Sequence, residues 1–300
     1  MIRIDSMTMN ILTASERIVN IYSHCGVSVH VEPMRGANID EVVMPSEREG
    51  KEDVLPPLLS PTEKITTALM MAEALADLHG YTGGAIGHFD IQMGQYLFNE
   101  DGHLKLSDFN RAGPLMWNEA EQEYCRFWMG SAGGNVRSPE EYHEQVPVDY
   151  SVDVYSYGNV IFTLLTGEEP YGGEYVDVRH LCGKGITPKV DLAIRGRSFA
   201  EAFLATIMDK CFEFYPEKRI DIFTIVSLLK EAISINSRLE SIEVTYSEEE
   251  EEELFQSGDE NEDHGTGTES YYDSEDYNYT HYPSVHNEYR EDEVDGDIDE

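Results

Sequence analysis

Two short stretches of the sequence carry polar side chains in combinations that could serve a reaction. Residues 88–95 read HFDIQMGQ and hold a histidine, an aspartate and two glutamines, and residues 108–110 read DFN. A carboxylate in such a stretch can accept a proton or hold a metal ion. An aspartate can also cap a loop or start a turn, so each stretch alone is a weak signal.

Three later stretches extend this pattern along the chain. Residues 138–140 read SPE, residues 152–158 read VDVYSYG and residues 216–219 read PEKR. The five stretches resemble, in order, the H-R-D, D-F-G, A-P-E, D-V-W-S-F-G and late P-x-x-R motifs of eukaryotic protein kinases. The resemblance covers about residues 5–239, and the order and spacing of five motifs make it specific.

The resemblance implies a chemical role for each matching residue. Asp90 corresponds to the aspartate that orients the substrate hydroxyl and accepts its proton, and Asp108 to the aspartate that holds Mg²⁺ against the nucleotide phosphates. Gln95 stands where kinases hold the second Mg²⁺ with an asparagine, and its amide oxygen is still a ligand. We expect adenine contacts at the Glu32 carbonyl and the Met34 amide, and hence ATP and Mg²⁺ as cofactors.

Other matching residues are expected to be structural. Asp153 corresponds to a buried aspartate that holds the catalytic loop through backbone hydrogen bonds. Glu140 and Arg219 resemble a buried ion pair that ties the segment after the activation loop to the late helices. Phe109 is expected to pack as a core aromatic residue.

Three further positions inside the motifs depart from the kinase pattern. Gln92, which we group with Asp90 as a candidate catalytic residue, replaces a lysine beside the γ-phosphate, and a neutral amide cannot neutralise transition-state charge. Phe89 replaces the arginine that reads activation-loop phosphorylation, so we expect no phospho-gating of that type. Asn110 replaces the glycine of D-F-G, and asparagine tolerates a positive φ better than other non-glycine residues.

No G-x-G-x-x-G loop and no V-A-I-K strand precede the first motif. By resemblance, Asp5 falls near the glutamate of the αC helix, so those elements would lie before Met1. We therefore expect this chain to bind ATP–Mg²⁺ weakly and to transfer phosphate poorly or not at all.

The elements that must position these residues can be predicted from local signals. Residues 1–35 read as a helix followed by strands at 18–22 and 27–31. Ser60, Pro61 and Glu63 form a helix start, and Gly80 can end that helix. A turn at 99–102 joins short strands at 96–98 and 104–106, and helices fill 150–238. The predicted class is α+β, a kinase-like fold with a mainly helical C-lobe and a truncated N-lobe.

The domain boundaries follow from these elements and from charge. We predict an N-lobe remnant at 1–35, the C-lobe at 36–240 and a disordered acidic tail at 241–300. The net charge is −38, and residues 247–300 hold 22 acidic residues against one basic residue, Arg290. This balance argues against nucleic-acid and anionic-membrane partners. Ser247 and Ser257 each have a glutamate three residues on, which suits acidophilic phosphorylation.

The remaining composition is that of a reduced, non-secreted protein. The four cysteines show no close ligand spacing, which favours free thiols in the cytoplasm or nucleus. The first residues contain no apolar run typical of a signal peptide, and no segment is long and apolar enough to span a bilayer.

Three functions stay open at this level. The chain could be an active kinase of Ser/Thr type acting on an unidentified protein, provided that a full N-lobe exists. It could be a pseudokinase scaffold for a signalling partner, which Gln92 favours. It could also be an acidic binding protein whose tail engages basic partners such as histones, although a solvated extension explains that tail as well.

Overall fold

The computed structural model describes residues 2–26, 28–50, 58–130, 133–143, 146–172 and 177–257. The helices in these ranges are α1 (Ile2–Ile11), α2 (Ile39–Val43), α3 (Pro45–Arg48), α4 (Pro61–His79), α5 (Pro139–Tyr142), α6 (Ser151–Thr166), α7 (Val178–Gly183), α8 (Leu192–Arg195), α9 (Phe199–Cys211) and α10 (Ile222–Ser257).

The strands form short antiparallel pairs, each with its own partner. They are β1 (Ile21–Cys25) with β2 (Ser28–Val31), β3 (Ile86–Gly87) with β6 (Gly113–Pro114), β4 (Tyr96–Phe98) with β5 (Leu104–Leu106), and β7 (Trp117–Asn118) with β8 (Glu123–Tyr124). The predicted α+β class, mainly helical, is confirmed, and so is the hairpin at 96–106.

The N-terminal segment is a helix followed by two strands, as predicted, but the first strand begins later than expected. The prediction of a strand at 18–22 was wrong at its start, because β1 begins at Ile21. Ile18 instead makes an isolated bridge to Leu106, and the Val19 amide donates to the Leu106 carbonyl at 3.0 Å. Ile18 and Val19 are both buried, and they contact β5 through Leu106.

Helix α4 starts with the predicted capping box. The Ser60 hydroxyl accepts from the Glu63 amide at 3.3 Å, and the Glu63 carboxylate accepts from the Ser60 amide at 2.8 Å. Pro61 occupies the first turn, where its missing N–H leaves no bond unmade. The buried face of α4 carries apolar residues at helical spacing, namely Ile65, Ala68, Met71, Ala72, Leu75 and Leu78.

Helix α6 is the central element of the C-lobe. Its residues from Val152 to Leu165 are all buried, as expected for a helix that is apolar around most of its circumference. It packs against α4 and α9. A Cβ atom at Gly158 would lie 2.9 Å from the Cys211 Cβ and 2.9 Å from the Phe212 ring, so a larger residue there would push α9 away.

The last helix runs into the predicted acidic tail. Helix α10 continues to Ser257, and the predicted disorder of residues 241–300 stays a prediction. The rest of the predicted tail, 258–300, lies outside the described residues. The predicted phosphorylation of Ser247 and Ser257 concerns side chains that are also outside the described part.

Two sequence expectations about the environment can be compared with the structure. All four cysteines are free, with Cys25 and Cys125 exposed and Cys182 and Cys211 buried. Within the described residues, the structure contains no helix with the length and apolar character that a membrane span requires.

Candidate active site

The backbone of residues 88–90 is held by one buried carboxylate from α6. Asp153 accepts hydrogen bonds from the amides of His88 and Phe89, both at 2.7 Å, and lies 3.0 Å from His79 Nε2. Hydrogen bonds to a carboxylate are stronger than those between neutral groups, so this contact fixes the loop. The structural role predicted for Asp153 is confirmed.

His88 lies where the two polar stretches meet. Its Nε2 atom is 3.0 Å from the Ser107 carbonyl, and its ring is 5.2 Å from that of Phe109. Burial lowers the pKa of His88, while the charges of Asp153, Asp90 and Asp108 oppose that effect. The charges of three carboxylates therefore act on one buried imidazole. The contacts of His88 with Ser107 and of Gln95 with Asp108 bring residues 88–95 and 107–110 together.

Asp108 adopts a left-handed backbone, with φ 59° and ψ 62°. This conformation is uncommon outside glycine and recurs at functional sites. The next residue, Phe109, is fully buried as predicted, and its amide donates to Asp5 Oδ1 at 2.9 Å. This hydrogen bond ties helix α1 directly to the turn. Burial raises the pKa of Asp5 and the Asp108 charge acts in the same direction, against the lowering effect of the hydrogen bond from Phe109.

The Asp108 carboxylate is surrounded by amide side chains. The Asn110 amide donates to Oδ1, and Gln95 Nε2 donates to Oδ2 at 3.4 Å. Carboxylate and amide oxygens are suitable Mg²⁺ ligands, and half a turn of the Gln95 amide would present its oxygen instead of its nitrogen. The donor set at Asp108 and Gln95 thus fits one Mg²⁺ ion that keeps water ligands. Among the described residues, no group of three or more His, Cys, Asp or Glu side chains could hold a metal without such help.

Asp90 has a partner that sequence reasoning missed. The Arg137 guanidinium donates to Asp90 Oδ1 and, at 2.9 Å, to the Phe89 carbonyl, and Arg137 is buried. Arg137 stands directly before the 138–140 stretch, and that position was its only sequence signal. It fixes the Asp90 side chain in the cleft and brings a positive charge near the position that Gln92 leaves neutral.

Gln92 lies at the edge of a cavity beside the loop. It is half-buried, and it lines this cavity together with Gln95 and Arg137. Its backbone carbonyl accepts from the Gln95 amide at 3.1 Å, which forms the short turn at 93–95.

Glu32 and Met34 follow strand β2 and are both half-buried. The Glu32 carboxylate accepts from Lys105 Nζ at 2.6 Å and from the Asn20 amide at 2.7 Å. The side chain of Glu32 therefore ties the N-terminal segment to β5. The adenine contacts expected at the Glu32 carbonyl and Met34 amide stay predictions.

Phe89 stands where the kinase motif has an arginine, and it makes an aromatic contact. It has φ 61°, is 1% exposed, and meets the Phe127 ring edge-on at a centroid distance of 5.1 Å. Phe89 forms a small apolar cluster with Leu115, Val148 and Val152.

The predicted ion pair between Glu140 and Arg219 is present and buried. Two guanidinium nitrogens lie 2.7 Å and 3.1 Å from the two carboxylate oxygens. It connects α5 to the turn that precedes α10, as the motif resemblance implied.

Comparison with known proteins agrees with this arrangement. The protein kinase domain family matches residues 9–230, which is well over half of the chain. The chain belongs to the protein kinase family. Within this kinase domain, the matched region includes every site residue described above apart from Asp5.

The kinase domain is similar to several curated proteins at low identity. LRR receptor-like serine/threonine-protein kinase EFR of Arabidopsis thaliana is 27% identical over 197 residues, which are 63% of this chain and 19% of that protein. Serine/threonine-protein kinase fray2 of Dictyostelium discoideum is 30% identical over 158 residues, 52% of this chain and 15% of that protein. Serine/threonine-protein kinase ppk11 of Schizosaccharomyces pombe is 28% identical over 164 residues, which are 53% of this chain and 47% of that protein. This chain spans less than half the length of each of these three relatives.

Proposed function

We propose that this kinase domain transfers the γ-phosphoryl group of ATP to a serine or threonine hydroxyl of a protein, when phosphate-covering elements of an N-lobe accompany it. The observation that carries the proposal is the pair of left-handed, non-glycine residues in the cleft, Phe89 and Asp108. Each such residue costs on the order of 1–3 kcal/mol and persists only where its surroundings enforce it. This enforced backbone supports a functional role for the carboxylates of Asp90 and Asp108.

In this proposal Asp90 orients the substrate hydroxyl and takes its proton. The hydroxyl oxygen forms a bond to the γ-phosphorus, the bond from that phosphorus to the β–γ bridging oxygen breaks, and ADP leaves. Arg137 holds the Asp90 carboxylate in place through its two contacts in the loop. Asp108 and Gln95 would hold Mg²⁺, which when bound neutralises negative charge on the phosphates.

A second candidate function is that of a pseudokinase scaffold. It is favoured by the hydrogen bonds that the chain's own side chains make to the two acids. Asn110 and Gln95 donate to Asp108, and Arg137 donates to Asp90. These donors compete with a metal ion and with a substrate hydroxyl, and Gln92 adds no charge. A role for the acidic tail in binding basic proteins is a third proposal, which rests on composition alone.

A phosphate-transfer assay tests the first proposal on two purified proteins, which are this chain alone and this chain preceded by a kinase N-lobe. Radiolabelled ATP, Mg²⁺ and a mixture of Ser/Thr peptides are supplied to the wild type and to the Asp90→Asn and Asp108→Ala variants. Incorporation that both variants abolish supports phosphoryl transfer. Incorporation no greater than that of the variants contradicts the proposal if it is found in the protein with the N-lobe, whereas the same result is expected for the chain alone. In that case, a shift in Tm with ATP–Mg²⁺ would distinguish a nucleotide-binding scaffold from one that binds none.

A further inference from the structure

A cavity of about 260 Å³ lies against the β7–β8 hairpin. Its walls come from this hairpin and from Asp149 and Tyr150, which directly precede α6. No residue of the candidate active site is among the described residues that line it, so this is a separate site. The volume is just below that of pockets for drug-sized ligands, which is about 300–1,000 Å³. The cavity therefore suits a single small chemical group.

Three aromatic side chains line this cavity, namely Trp117, Tyr124 and Tyr150. Trp117 and Tyr124 are paired across the hairpin, and their rings meet edge-on at a centroid distance of 5.1 Å and an interplanar angle of 79°. The rings of Tyr124 and Tyr150 meet in the same way, at 5.6 Å and 79°. Each ring is thus nearly perpendicular to the next, like neighbouring walls of a box.

The two tyrosine rings of this aromatic box are supported by the interior of the fold. Both pack against the small apolar cluster that contains Phe89, and the Tyr150 ring lies 4.7 Å from the ring of His79. The Trp117 side chain is 44% exposed, so the box is open to solvent on that side. Because two of the three walls are already fixed, a ligand would lose little affinity to ordering them.

The charge around the box favours a cation. Arg126 and Asp149 both line the cavity, and Arg126 Nε donates to Asp149 Oδ2 at 3.0 Å, so these two charges offset each other. Glu123 also lines the cavity, is exposed, and forms no ion pair within the described part of the chain. One carboxylate is therefore left over, and the net charge of −38 on the whole chain attracts cations as well.

The ring faces of the box meet no cation from the described residues of the protein itself. The cation–π contacts in those residues involve the rings of Tyr142, Tyr155 and Tyr215, and none involves a ring of the box. A cation over an aromatic face is attracted by the ring quadrupole, most strongly over tryptophan, and sets of such rings recognise quaternary ammonium groups. The box has both features, since it combines a tryptophan with two tyrosines.

We infer that this cavity binds a quaternary ammonium group, in which methyl groups surround a single positive charge. Such a rounded group can contact walls that stand nearly perpendicular to one another, whereas a planar guanidinium stacks on one ring at a time. An unmethylated ammonium is strongly hydrated and needs hydrogen-bond acceptors, which ring faces do not supply. Choline and the trimethylated lysine side chain of a protein both carry the group. The inference goes beyond the proposed function and does not depend on it.

Nuclear magnetic resonance on the full chain tests this inference. The chain has two tryptophans, and Trp128, which is exposed and does not line the cavity, is the internal reference for Trp117. The probes are choline and the neutral alcohol in which a carbon atom replaces the nitrogen of choline. We expect choline to shift the indole N–H signal of Trp117 alone and to bind about fivefold more tightly than the alcohol. Sodium chloride at the same concentration controls for ionic strength.

Variants of the tryptophan test whether a ring face is responsible for binding. Saturation transfer to the choline methyl protons gives Kd without a tryptophan signal. Trp117→Phe keeps an aromatic face and should weaken binding by no more than about threefold, whereas Trp117→Leu keeps only apolar character and should weaken it about tenfold. Trp128→Leu is the matched control and should leave Kd unchanged.

Variants of the hairpin carboxylates test the role of charge. Glu123→Gln should weaken choline binding about two- to fivefold, since this carboxylate is exposed. Glu121→Gln removes the same charge from an exposed residue of the same hairpin that does not line the cavity, and should leave Kd unchanged.

A peptide with one trimethylated lysine distinguishes the two sources of the group. Tighter binding of the peptide than of choline supports the inference with a methylated protein as the ligand, and binding of choline alone supports it with a small cation. Equal affinity for choline and the neutral alcohol, or no binding of choline and peptide, overturns the inference. Equal losses in Trp117→Leu and Trp128→Leu also overturn it, because the binding would then lie outside the cavity. Phosphate transfer enters none of these measurements, so failure of the proposed function would leave their result unchanged.

Discussion

Arg219 donates to both carboxylate oxygens of Glu140, at 2.7 Å and 3.1 Å, although the residues are 79 positions apart. The side chains are 0% and 3% exposed. Arg219 also donates to the Ser151 carbonyl at 2.8 Å, so a single guanidinium joins α5, the start of α6 and the turn before α10. Breaking a buried pair leaves one uncompensated charge, which is more harmful than losing an exposed pair.

We predict that Arg219→Met lowers the free energy of unfolding by about 3–5 kcal/mol. Chemical denaturation of the full chain measures it. The control is Arg195→Met, which breaks the two-bond pair with the more exposed Asp209 and should cost less than about 1 kcal/mol. Similar losses in both variants would show that burial of the Glu140–Arg219 pair is not what makes it important.

Asp153→Asn should loosen the catalytic loop without changing side-chain volume. The variant loses the charge and one of the two oxygens that accept from the His88 and Phe89 amides. We expect a loss of about 2–3 kcal/mol in the free energy of unfolding and faster hydrogen exchange at those two amides. Asp101→Asn, in the exposed turn of the β4–β5 hairpin, should change neither quantity. Unchanged exchange at residues 88 and 89 would contradict the role assigned to Asp153.

Arg137→Gln should lower any phosphate transfer by about 10²-fold, because it releases the Asp90 side chain and a displacement of about 1 Å at a reacting group can have this effect. Arg137→Lys should restore part of the rate, since it keeps the charge but not the planar fork. Arg126→Gln is the control, because Arg126 pairs with Asp149 and does not contact Asp90. A faster reaction in Arg137→Gln would mean that Arg137 blocks Asp90, and would contradict its positioning role.

Glu141 should make stability depend on pH. Burial raises the pKa of Glu141 from 4.5 to about 7, against the opposing effects of Arg137 and Ser138. Between these values the folded state holds a proton that the unfolded state has released, so stability falls as pH rises through this window. Relative to Glu141→Gln, the wild type should lose up to about 3 kcal/mol between pH 4.5 and 7. Parallel pH profiles for the two proteins would contradict this prediction.

Local signals in the sequence predicted much of the fold. The capping box at Ser60 and Glu63, the hairpin turn before His103 and the motif residues Asp153 and Arg219 each depend on nearby residues or on a known motif. Such signals can be found without knowing how distant segments come together.

Contacts between distant segments could not be predicted in the same way. The pairing of Arg137 with Asp90 joins residues 47 positions apart, and no periodicity or turn pattern marks it. The predicted start of β1 was too early because the apolar character of Ile18 reflects its contact with Leu106 and not pairing with β2.

The contact between the Phe89 and Phe127 rings should respond to temperature rather than to salt. Dissolved ions screen interactions between charges and have no comparable effect on two apolar rings. Apolar contacts instead weaken on cooling. The contact between these two rings should therefore be insensitive to ionic strength and should loosen at low temperature, whereas added salt should weaken the neighbouring Arg126–Asp149 pair.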